Sequence, residues 1–306
     1  VLFITHKLKE VMEISDSITV LKNGHYVDTV TPDQTDEHGL ATMMVGREVI
    51  LTAQKKDKKQ GDALLNVRHL SMPDYLGREK LKDVSFEIHS GEILGIAGVA
   101  GSGQQELVEA LFGLRTGSQG EILFDGKNIT NLNCREHRLS HIGYVPQDRI
   151  SEGINREATL WENAIMGYHI VKGFGNRYLL NRKQALSFTN HIIQDFHVKA
   201  SSPNLKIQTL SGGNIQKLIV GREFLQDNRL LIIEDPTRGI DIGAIEFIWK
   251  KIESLASAGA AILLVSHELN EVMEVSDRIL VMYDGQLYDG GVHGQKPETE
   301  IGLLMA

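Results

Sequence analysis

Apolar residues along the chain follow two different spacings. Short apolar runs of the kind that forms buried strands occupy residues 92–97, 230–233 and 261–265. The spacing becomes helical at residues 106–114 and again at residues 161–196. Strands that are interleaved with helices in this way predict an α/β fold.

One part of this pattern occurs twice. Residues 6–16 resemble residues 267–277 at an offset of 267 − 6 = 261 positions, and the two copies begin with His6 and His267. Each histidine follows an apolar run, and each copy continues into a short strand that ends in a turn. The repeat predicts a tandem domain duplication in which residues 1–50 are the C-terminal tail of a first, truncated domain. We therefore expect the chain to begin in mid-strand, as a piece of a longer protein.

A polar segment separates the tail from the rest of the chain. Residues 51–62 contain four lysines and almost no large apolar side chains, which is the composition of a solvated linker. Lysine clusters also occur in membrane-binding or nucleic-acid-binding patches, but four lysines around an aspartate favour simple solvation. The second domain is predicted to span residues 63–306, which is ample for a core of its own.

A glycine-rich loop follows the apolar run at residues 92–97. It consists of Gly98, Val99, Ala100, Gly101, Ser102, Gly103, Gln104 and Gln105. Glycines let successive backbone N–H groups turn toward a phosphate, and the following helix adds its positive N-terminal dipole. Two positions depart from the usual phosphate-loop pattern, because glutamines replace its lysine and its serine or threonine. Taken alone, the loop is also compatible with an ordinary turn between a strand and a helix.

Further motif residues follow the glycine loop in a fixed order. They are Gln147, Ser211, Gly212, Gly213, Gln216, Glu234, Asp235, Asp241 and His267. The double glycine opens a helix, and the two adjacent acids end an apolar strand. In this order and spacing, the loop and these residues closely resemble the ATP-binding domain of ABC transporters.

The resemblance implies a P-loop NTPase of the ABC type. Such a domain has a RecA-like core, an antiparallel β subdomain and a helical subdomain between Gln147 and Ser211. It implies ATP and Mg²⁺ as cofactors, with the phosphates held by the glycine loop. Tyr75 lies where the family places an aromatic ring that stacks on adenine, although a plain strand-edge tyrosine is the alternative.

The resemblance also assigns catalytic roles. Gln147 would contact Mg²⁺ and the attacking water and report to a permease. Glu234 would hold the metal, Asp235 would polarise the water, and His267 would complete the site. Because ABC domains pair head to tail, His6 would serve the complementary site of the first domain.

Head-to-tail pairing gives the double-glycine motif a role in trans. The helix that begins at Ser211–Gly213 would offer its N-terminus to the γ-phosphate held by the other domain. A serine that caps an ordinary helix is the plain structural reading, and it holds at the same time. Gln216 and Asp241 are grouped with these nucleotide-binding residues.

The chain departs from the family pattern at its own nucleotide site. Gln104 brings no charge to the phosphates, and Gln105 is too long to take the place of a metal-binding hydroxyl. The family has Asp followed by Glu where this chain has Glu234 followed by Asp235, a displacement on the order of 1 Å that can cost about 10²-fold in rate. We therefore predict weak nucleotide binding and slow hydrolysis by this chain alone.

Composition limits the remaining possibilities. The formal charge is 32 − 40 = −8, which disfavours nucleic acid as a partner. The single cysteine, Cys134, forms no intrachain disulfide and suits a reducing compartment. Cys134, His137 and His141 have metal-like spacing but lack a fourth ligand, so we interpret their segment as an exposed helix. No apolar run reaches the roughly 20 residues that cross a bilayer.

Within the ABC family, the motifs are similar to those of simple-sugar and nucleoside importers. The sequence around Gln147 and after Asp241 favours nucleoside-like solutes, with a ribose- or galactose-type sugar as the alternative. The resemblance implies integral membrane permease subunits as partners and, indirectly, an extracytoplasmic solute-binding protein. It places the protein peripherally on the cytoplasmic face of the plasma membrane. A soluble ABC protein without a transport role is disfavoured by the acidic charge.

Overall fold

The structure is a computed structural model. It describes residues 1–5, 7–22, 24–48, 60–169, 173–176 and 179–305. His6 and most of the predicted linker, residues 51–59, lie outside these ranges. None of the helices within them is long and apolar enough to cross a membrane.

The helices and strands alternate along most of the chain. In residues 1–48 they are α1 (Leu8–Ile14), β1 (Ile18–Lys22), β2 (His25–Val30) and α2 (Glu37–Val45). In residues 60–305 they are β3 (Ala63–Pro73), β4 (Glu79–His89), β5 (Ile93–Ala97), α3 (Gln104–Phe112), β6 (Gln119–Phe124), β7 (Lys127–Asn128), α4 (Cys134–Leu139), β8 (Ile142–Val145), α5 (Leu160–Ala164), α6 (Arg182–Asp195), α7 (Gly212–Phe224), β9 (Leu230–Glu234), α8 (Ile242–Ser257), β10 (Ala261–Val265), α9 (Leu269–Val275), β11 (Arg278–Tyr283), β12 (Gln286–Val292) and α10 (Glu298–Leu304). Short 3₁₀ turns lie at Pro32–Gln34 and Ile207–Thr209.

The sequence repeat coincides with a repeat of structure. The starts of α1 and α9 differ by 269 − 8 = 261 residues, and those of α2 and α10 by 298 − 37 = 261 residues. The hairpins β1–β2 and β11–β12 are both antiparallel, and each contains one register irregularity. The division of the chain at residues 50 and 62 stays a prediction, because residues 49–59 are not described.

The chain does not begin with a strand, which corrects the expectation from the repeat. Residues 1–5 have no regular structure, and the side chains of Leu2 and Ile4 are each 88% exposed. The equivalent run, β10, is held by hydrogen bonds to β5 on one side and β9 on the other. No strand in the described ranges pairs with residues 1–5, so their apolar sequence alone does not produce a strand.

A six-stranded sheet forms the centre of the second domain. Its strand order is β12-β11-β5-β10-β9-β8, and all neighbours are parallel except the edge pair β11–β12. Every residue of β5, β9 and β10 is buried, as expected when both faces of a parallel sheet are covered. Leu263 packs in the cluster that contains α3 and the antiparallel strands, whereas Leu264 packs in the cluster of α7 and α8.

Two subdomains flank this sheet. The antiparallel sheet β4-β3-β6-β7 packs on one side of it. The apolar spacing at residues 161–196 predicts more helix than the described residues of this segment form. The helix α5 ends at Ala164, and α6 begins only at Arg182. Gly167 and Gly173 adopt positive φ angles of 83° and 78° between them, which an α-helix does not tolerate.

A buried charge network joins the helical segment to the core. Glu223 on α7 is fully buried and accepts two hydrogen bonds from the guanidinium of Arg138, at 3.0 and 3.2 Å. It also accepts bonds from Arg222 at 2.9 Å and from the Tyr168 hydroxyl at 2.5 Å. Burial opposes ionisation of Glu223, but the two arginines prevail and hold its pKa below the usual value.

The parallel strands bring the motif residues to one edge of the sheet. β5, β8, β9 and β10 run in the same direction, so the segments that follow their carboxyl ends lie side by side. The glycine loop follows β5, Gln147 follows β8, Glu234 and Asp235 lie at the end of β9, and His267 follows β10. This edge is where ligands bind in open α/β sheets.

Candidate functional site

The glycine loop has the backbone shape of a phosphate-binding turn, but the side chain of Gln104 bonds back to the loop itself. Gly101 and Gly103 have φ angles of 86° and 117°, which glycine adopts without strain. Gln104 is buried beneath the loop, and its amide donates a hydrogen bond to the carbonyl of Val99 at 3.2 Å. A Cβ atom at Gly98 would lie 2.4 Å from the Gln104 Nε2 atom, so this packing requires glycine at position 98.

Gln105 and Tyr75 meet on the same acidic side chain. Gln105 Nε2 donates to Glu109 Oε1 at 2.9 Å, and the Tyr75 hydroxyl donates to the same oxygen at 3.1 Å. The Arg115 guanidinium lies 4.4 Å from the centre of the Tyr75 ring. The structure thus places Tyr75 beside the glycine loop, with its ring largely exposed and stacked on a cation.

Two of the predicted catalytic residues, Gln147 and His267, contact the carboxylate of a third, Asp235. Asp235 Oδ2 accepts a hydrogen bond from Gln147 Nε2 at 3.1 Å and lies 3.0 Å from His267 Nδ1. Asp235 Oδ1 accepts from the backbone N–H of His267 at 2.9 Å. Asp235 adopts a positive φ of 40°, an uncommon backbone conformation for a residue other than glycine. Such local strain is typical of functional sites, where the surroundings hold a side chain in a required position.

Glu234 is placed differently from a metal ligand. It is buried, and the Tyr144 hydroxyl donates to its Oε2 atom at 2.6 Å and lies 3.2 Å from Glu152. Burial, together with the negative charges of Glu152 and Asp235, raises the pKa of Glu234 to about 7. Mg²⁺ binds an ionised carboxylate more strongly than a protonated one, so this environment weakens Glu234 as a ligand.

The other candidate ligands for Mg²⁺ are the side chains of Gln105 and Gln147. Each uses its Nε2 atom to donate to a carboxylate, Glu109 in one case and Asp235 in the other. A glutamine binds a metal through Oε1, which takes no part in these bonds. No group of three or more histidine, cysteine, aspartate or glutamate side chains in the described ranges has the arrangement of a metal site. Mg²⁺ binding at this chain's own site stays a prediction.

An acidic cavity adjoins the glycine loop. It has a volume of about 230 Å³ and lies between α3 and the ends of β8 and β9. Its lining includes the carboxyl groups of Glu109, Asp148, Glu152 and Glu234. Any of these carboxyl groups that is ionised repels a triphosphate. Weak nucleotide binding by this site stays a prediction.

The double-glycine motif forms the start of α7. Ser211 occupies the N-cap position with an exposed side chain, and its Oγ atom accepts from Asn214 Nδ2 at 2.8 Å. The side chain makes no capping hydrogen bond to its own helix. A capping role therefore does not explain why a serine occupies this N-cap position. Ser211 is therefore exposed at the end of α7 that has unpaired backbone N–H groups.

Two residues grouped with the nucleotide site serve the framework of the domain. Gln216 is buried, and its amide donates to the Pro236 carbonyl at 3.2 Å. Asp241 caps α8 by accepting a hydrogen bond from the Ala244 N–H at 3.0 Å. Both contacts fix the loop that follows β9. Nucleotide contacts by Gln216 and Asp241 remain predictions.

The segment that contains the single cysteine is not an exposed helix, which corrects the sequence interpretation. His137 on α4 is fully buried, and Cys134 is half-buried with its thiol 3.2 Å from the Gly113 carbonyl. These two residues are three positions apart and share a helix face that packs against the core. His141 follows the helix and bonds the Asp227 carbonyl at 2.8 Å, so the three side chains do not form one site.

Sequence reasoning missed several residues of the site. Tyr144 and Glu152 control the environment of Glu234, and Glu109 holds Gln105 and Tyr75 together. Arg149 lies between two loops of the site. The sequence assigns these positions no role in the site, because their roles depend on neighbours that are distant in sequence.

Known proteins resemble this chain in sequence. The guanosine import ATP-binding protein NupO of Bacillus subtilis is 40% identical over 293 residues, which cover 96% of this chain and 58% of NupO. The glucose import ATP-binding protein TsgD13 of Haloferax volcanii is 38% identical over 307 residues, covering 100% of this chain and 56% of TsgD13. The chain therefore spans a little more than half the length of these relatives.

Solved structures agree on the architecture. An ATP-binding subunit of an ABC transporter superimposes with a TM-score of 0.64 at 23% identity, covering 79% of this chain and 99% of that one. A dimeric ATP-binding cassette in a post-hydrolysis state, bound to ADP and Pi, gives a TM-score of 0.65 at 21% identity, covering 76% and 100%. The predicted fold class, an ABC-type P-loop NTPase, is confirmed. The ABC transporter family matches residues 81–238, more than half of the chain, and the chain belongs to this family.

Proposed function

We propose that the chain is the C-terminal part of the ATP-binding subunit of an ABC importer. In this role, ATP binding and hydrolysis drive the uptake of a small polar solute through a separate permease. The main support is the Asp235 carboxylate at the end of β9, which contacts Gln147 and His267 beside a glycine-rich loop. A strand-end acid beside such a loop suits attack of water on a bound phosphate.

The orientation of Asp235 suits a role in polarising water. Its Oδ1 atom is fixed by the His267 N–H, and its Oδ2 atom lies within reach of both the Gln147 amide and the His267 ring. A carboxylate held in this way can accept a proton from an attacking water without first reorienting. The His267 ring lies 3.0 Å from the same Oδ2 atom and helps to hold the carboxylate in this orientation.

The chain's own site is predicted to be the weaker of two. Gln104 and Gln105 are occupied by internal hydrogen bonds, and the adjoining cavity is lined by acids. We therefore assign most of the hydrolysis to a second site, on the first domain of the longer protein. Ser211–Gly213 of this chain would complete that site from the opposite side, which is head-to-tail pairing.

A contact between repeat-equivalent residues supports this pairing. Lys7 and Glu268 occupy the same position in the two copies, since 7 + 261 = 268, and their side chains form a salt bridge at 2.9 Å. When two copies are related by a two-fold axis, a residue touches its own equivalent only close to that axis. This contact is what a two-fold relation of the two domains, with its axis near Lys7 and Glu268, would produce.

A groove on the helical segment is suited to a permease. It has a volume of about 290 Å³ and includes the side chains of Trp161, Met166 and Leu180. Leu180 is 51% exposed and the neighbouring Leu179 is 73% exposed. Large apolar side chains at the surface are typical of protein contacts. We propose that an intracellular loop of the permease binds here.

The solute and the location follow from the same proposal. We propose a nucleoside-like solute, with a simple sugar as the second candidate. The guanosine importer NupO and the glucose importer TsgD13 match this chain at similar identity, so identity favours neither. An extracytoplasmic solute-binding protein would deliver the solute to the permease. The chain would attach peripherally at the cytoplasmic face of the plasma membrane. Mg²⁺ would be the cofactor of ATP at the second site.

Purification and ATPase assays test the proposal. The full tandem protein should copurify with an integral membrane permease and hydrolyse ATP. This chain alone should hydrolyse ATP at about a hundredth of that rate or less, since its site lacks properly placed groups. Equal turnover by the chain alone would contradict the division into a strong and a weak site. A full-length protein without a membrane partner would instead support a soluble ABC protein.

A further inference from the structure

Arg149 connects three loops of the site. It follows Gln147 by two residues, and its Nη1 atom donates a hydrogen bond to the Arg238 carbonyl at 2.8 Å. The guanidinium therefore reaches from the Gln147 loop to the loop after β9. It also lies against the first helical residue of α7, which belongs to the double-glycine motif.

Two glycines make room for the same guanidinium. A Cβ atom at Gly212 would lie 2.7 Å from Arg149 Nη2, which is closer than real Cβ atoms approach other atoms. A Cβ atom at Gly239 would lie 3.2 Å from Nη1, and Gly239 also has a positive φ of 67°. The planar guanidinium is thus packed between the start of α7 and the loop after β9. A side chain at either position would push the guanidinium out of this place.

The main chain beside Arg149 is fixed. Asp148 Oδ1 accepts hydrogen bonds from the N–H groups of Ile150 at 2.8 Å and Ser151 at 3.1 Å. These bonds hold the Gln147 loop in a turn that includes Arg149. A displacement of Gln147 is therefore passed to the Arg149 side chain, because the intervening backbone has little freedom to absorb it.

We propose that Arg149 is a positioning residue that couples the Gln147 loop to the Ser211–Gly213 motif. This inference rests on the proposed function, in which that motif completes the nucleotide site of a second domain. Arg149 does not need to touch nucleotide. It fixes the start of α7 relative to Gln147, so that movement of one accompanies movement of the other.

The chemistry of arginine suits this position better than that of lysine. A guanidinium is planar and rigid, so it fills the narrow space between two glycines while donating to a carbonyl. A lysine retains the charge and one donor but not the flat shape. A cation close to a helix N-terminus is also unfavourable for the helix dipole, so charge alone does not explain the residue.

The test uses the full tandem protein reconstituted with its permease. Arg149→Met should lower kcat about 10-fold and change KM less than about 2-fold, because displacement of a catalytic group acts on the chemical step. Arg149→Lys should recover part of the loss, since it restores the donor but not the planar contact. Arg135→Met, on the exposed side of α4, serves as the matched control and should leave kcat unchanged.

A double-mutant cycle adds a readout that a general loss of stability would not produce. Gly212→Ala alone should strongly reduce kcat, because the new methyl group meets the guanidinium. In the Arg149→Met background the same change should cost at least 3-fold less, since the rigid obstacle is gone. Such non-additivity identifies residues in direct contact.

Two results would overturn the inference. One is an Arg149→Met variant with the same kcat as Arg135→Met, and the other is a purely additive cycle with Gly212→Ala. Failure of the proposed function would look different, because the wild-type tandem protein would then show no permease-dependent hydrolysis at all. That outcome would remove the basis of the inference as well.

Discussion

At the scale of single residues, the site differs from the family pattern by a few side chains whose contacts explain the difference. Gln104 folds under the glycine loop, and Gln105 binds Glu109. Both side-chain amides therefore form hydrogen bonds within the chain. The loop retains its backbone shape and loses the side-chain chemistry that normally accompanies it.

Restoring the usual side chains should restore nucleotide binding. Lysine at position 104 supplies charge to the phosphates, and threonine at position 105 supplies a hydroxyl for the metal that bridges them. We expect Gln104→Lys with Gln105→Thr to strengthen Mg-ATP binding by more than the sum of the single changes, because both act on one network. Calorimetric titration measures this. Strictly additive gains, or none, would argue against the assigned loop.

The buried acid Glu234 predicts a dependence of stability on pH. Its pKa is raised to about 7 in the folded chain, so the folded state binds more protons than the unfolded state between about pH 4.5 and pH 7. Stability from this group is therefore fully present below that window and is lost as the pH rises through it. At pH 8, Glu234→Gln should be more stable than the wild type by about 1–3 kcal/mol, since the amide still accepts from Tyr144 and carries no charge.

Denaturant unfolding at several pH values checks this expectation. The advantage of Glu234→Gln should shrink as the pH is lowered toward about 4.5. Glu121→Gln, at an exposed position on β6, should show no such trend. A constant difference between Glu234→Gln and the wild type across this range would show that Glu234 is ionised in the folded chain.

At the scale of secondary-structure elements, the helix that carries the double-glycine motif depends on a buried ion network. Glu223 on α7 contacts its neighbour Arg222 on the same helix, and it also contacts Arg138 on α4 and Tyr168 in the helical segment. A buried charge that loses a partner is costly, whereas a complete pair is close to neutral for stability. The network therefore sets where α7 lies relative to the helical segment.

Removal of one cation from this network should be strongly destabilising. Arg138→Met should lower the free energy of unfolding by about 3 kcal/mol, because Glu223 then remains buried with Arg222 alone. Arg135→Met on the same helix should change it by less than about 0.5 kcal/mol, since that side chain is exposed. Equal effects of the two substitutions in chemical unfolding would show that the network is not holding the elements together.

At the scale of the whole molecule, the sequence predicted what depends on local pattern. The glycine loop, the strand that ends at Glu234 and the helix after Ser211 follow from apolar spacing and glycine placement. The sequence could not predict the burial of His137 or the raised pKa of Glu234, because both depend on neighbours that the fold brings close. The sequence also predicted a strand at residues 1–5 that does not form, because an apolar run without neighbouring strands has no partners for its backbone hydrogen bonds.

The pairing of domains is the central claim at this scale. Ser211 has an exposed hydroxyl at the start of α7, whereas Gln104 is buried and bonded within its own loop. We therefore expect Ser211 to matter for a nucleotide that this domain does not hold. We expect Gln104 to matter little, because its site is already short of catalytic groups.

A direct comparison of two variants in the full tandem protein with its permease tests this claim. Ser211→Arg should abolish transport and most ATPase activity, because a bulky cation replaces a compact hydroxyl where two domains must close to assemble the site. Gln104→Ala should retain most of both activities. If transport and ATPase rates are measured side by side and Gln104→Ala proves the more damaging substitution, the account of one working and one weak site is wrong.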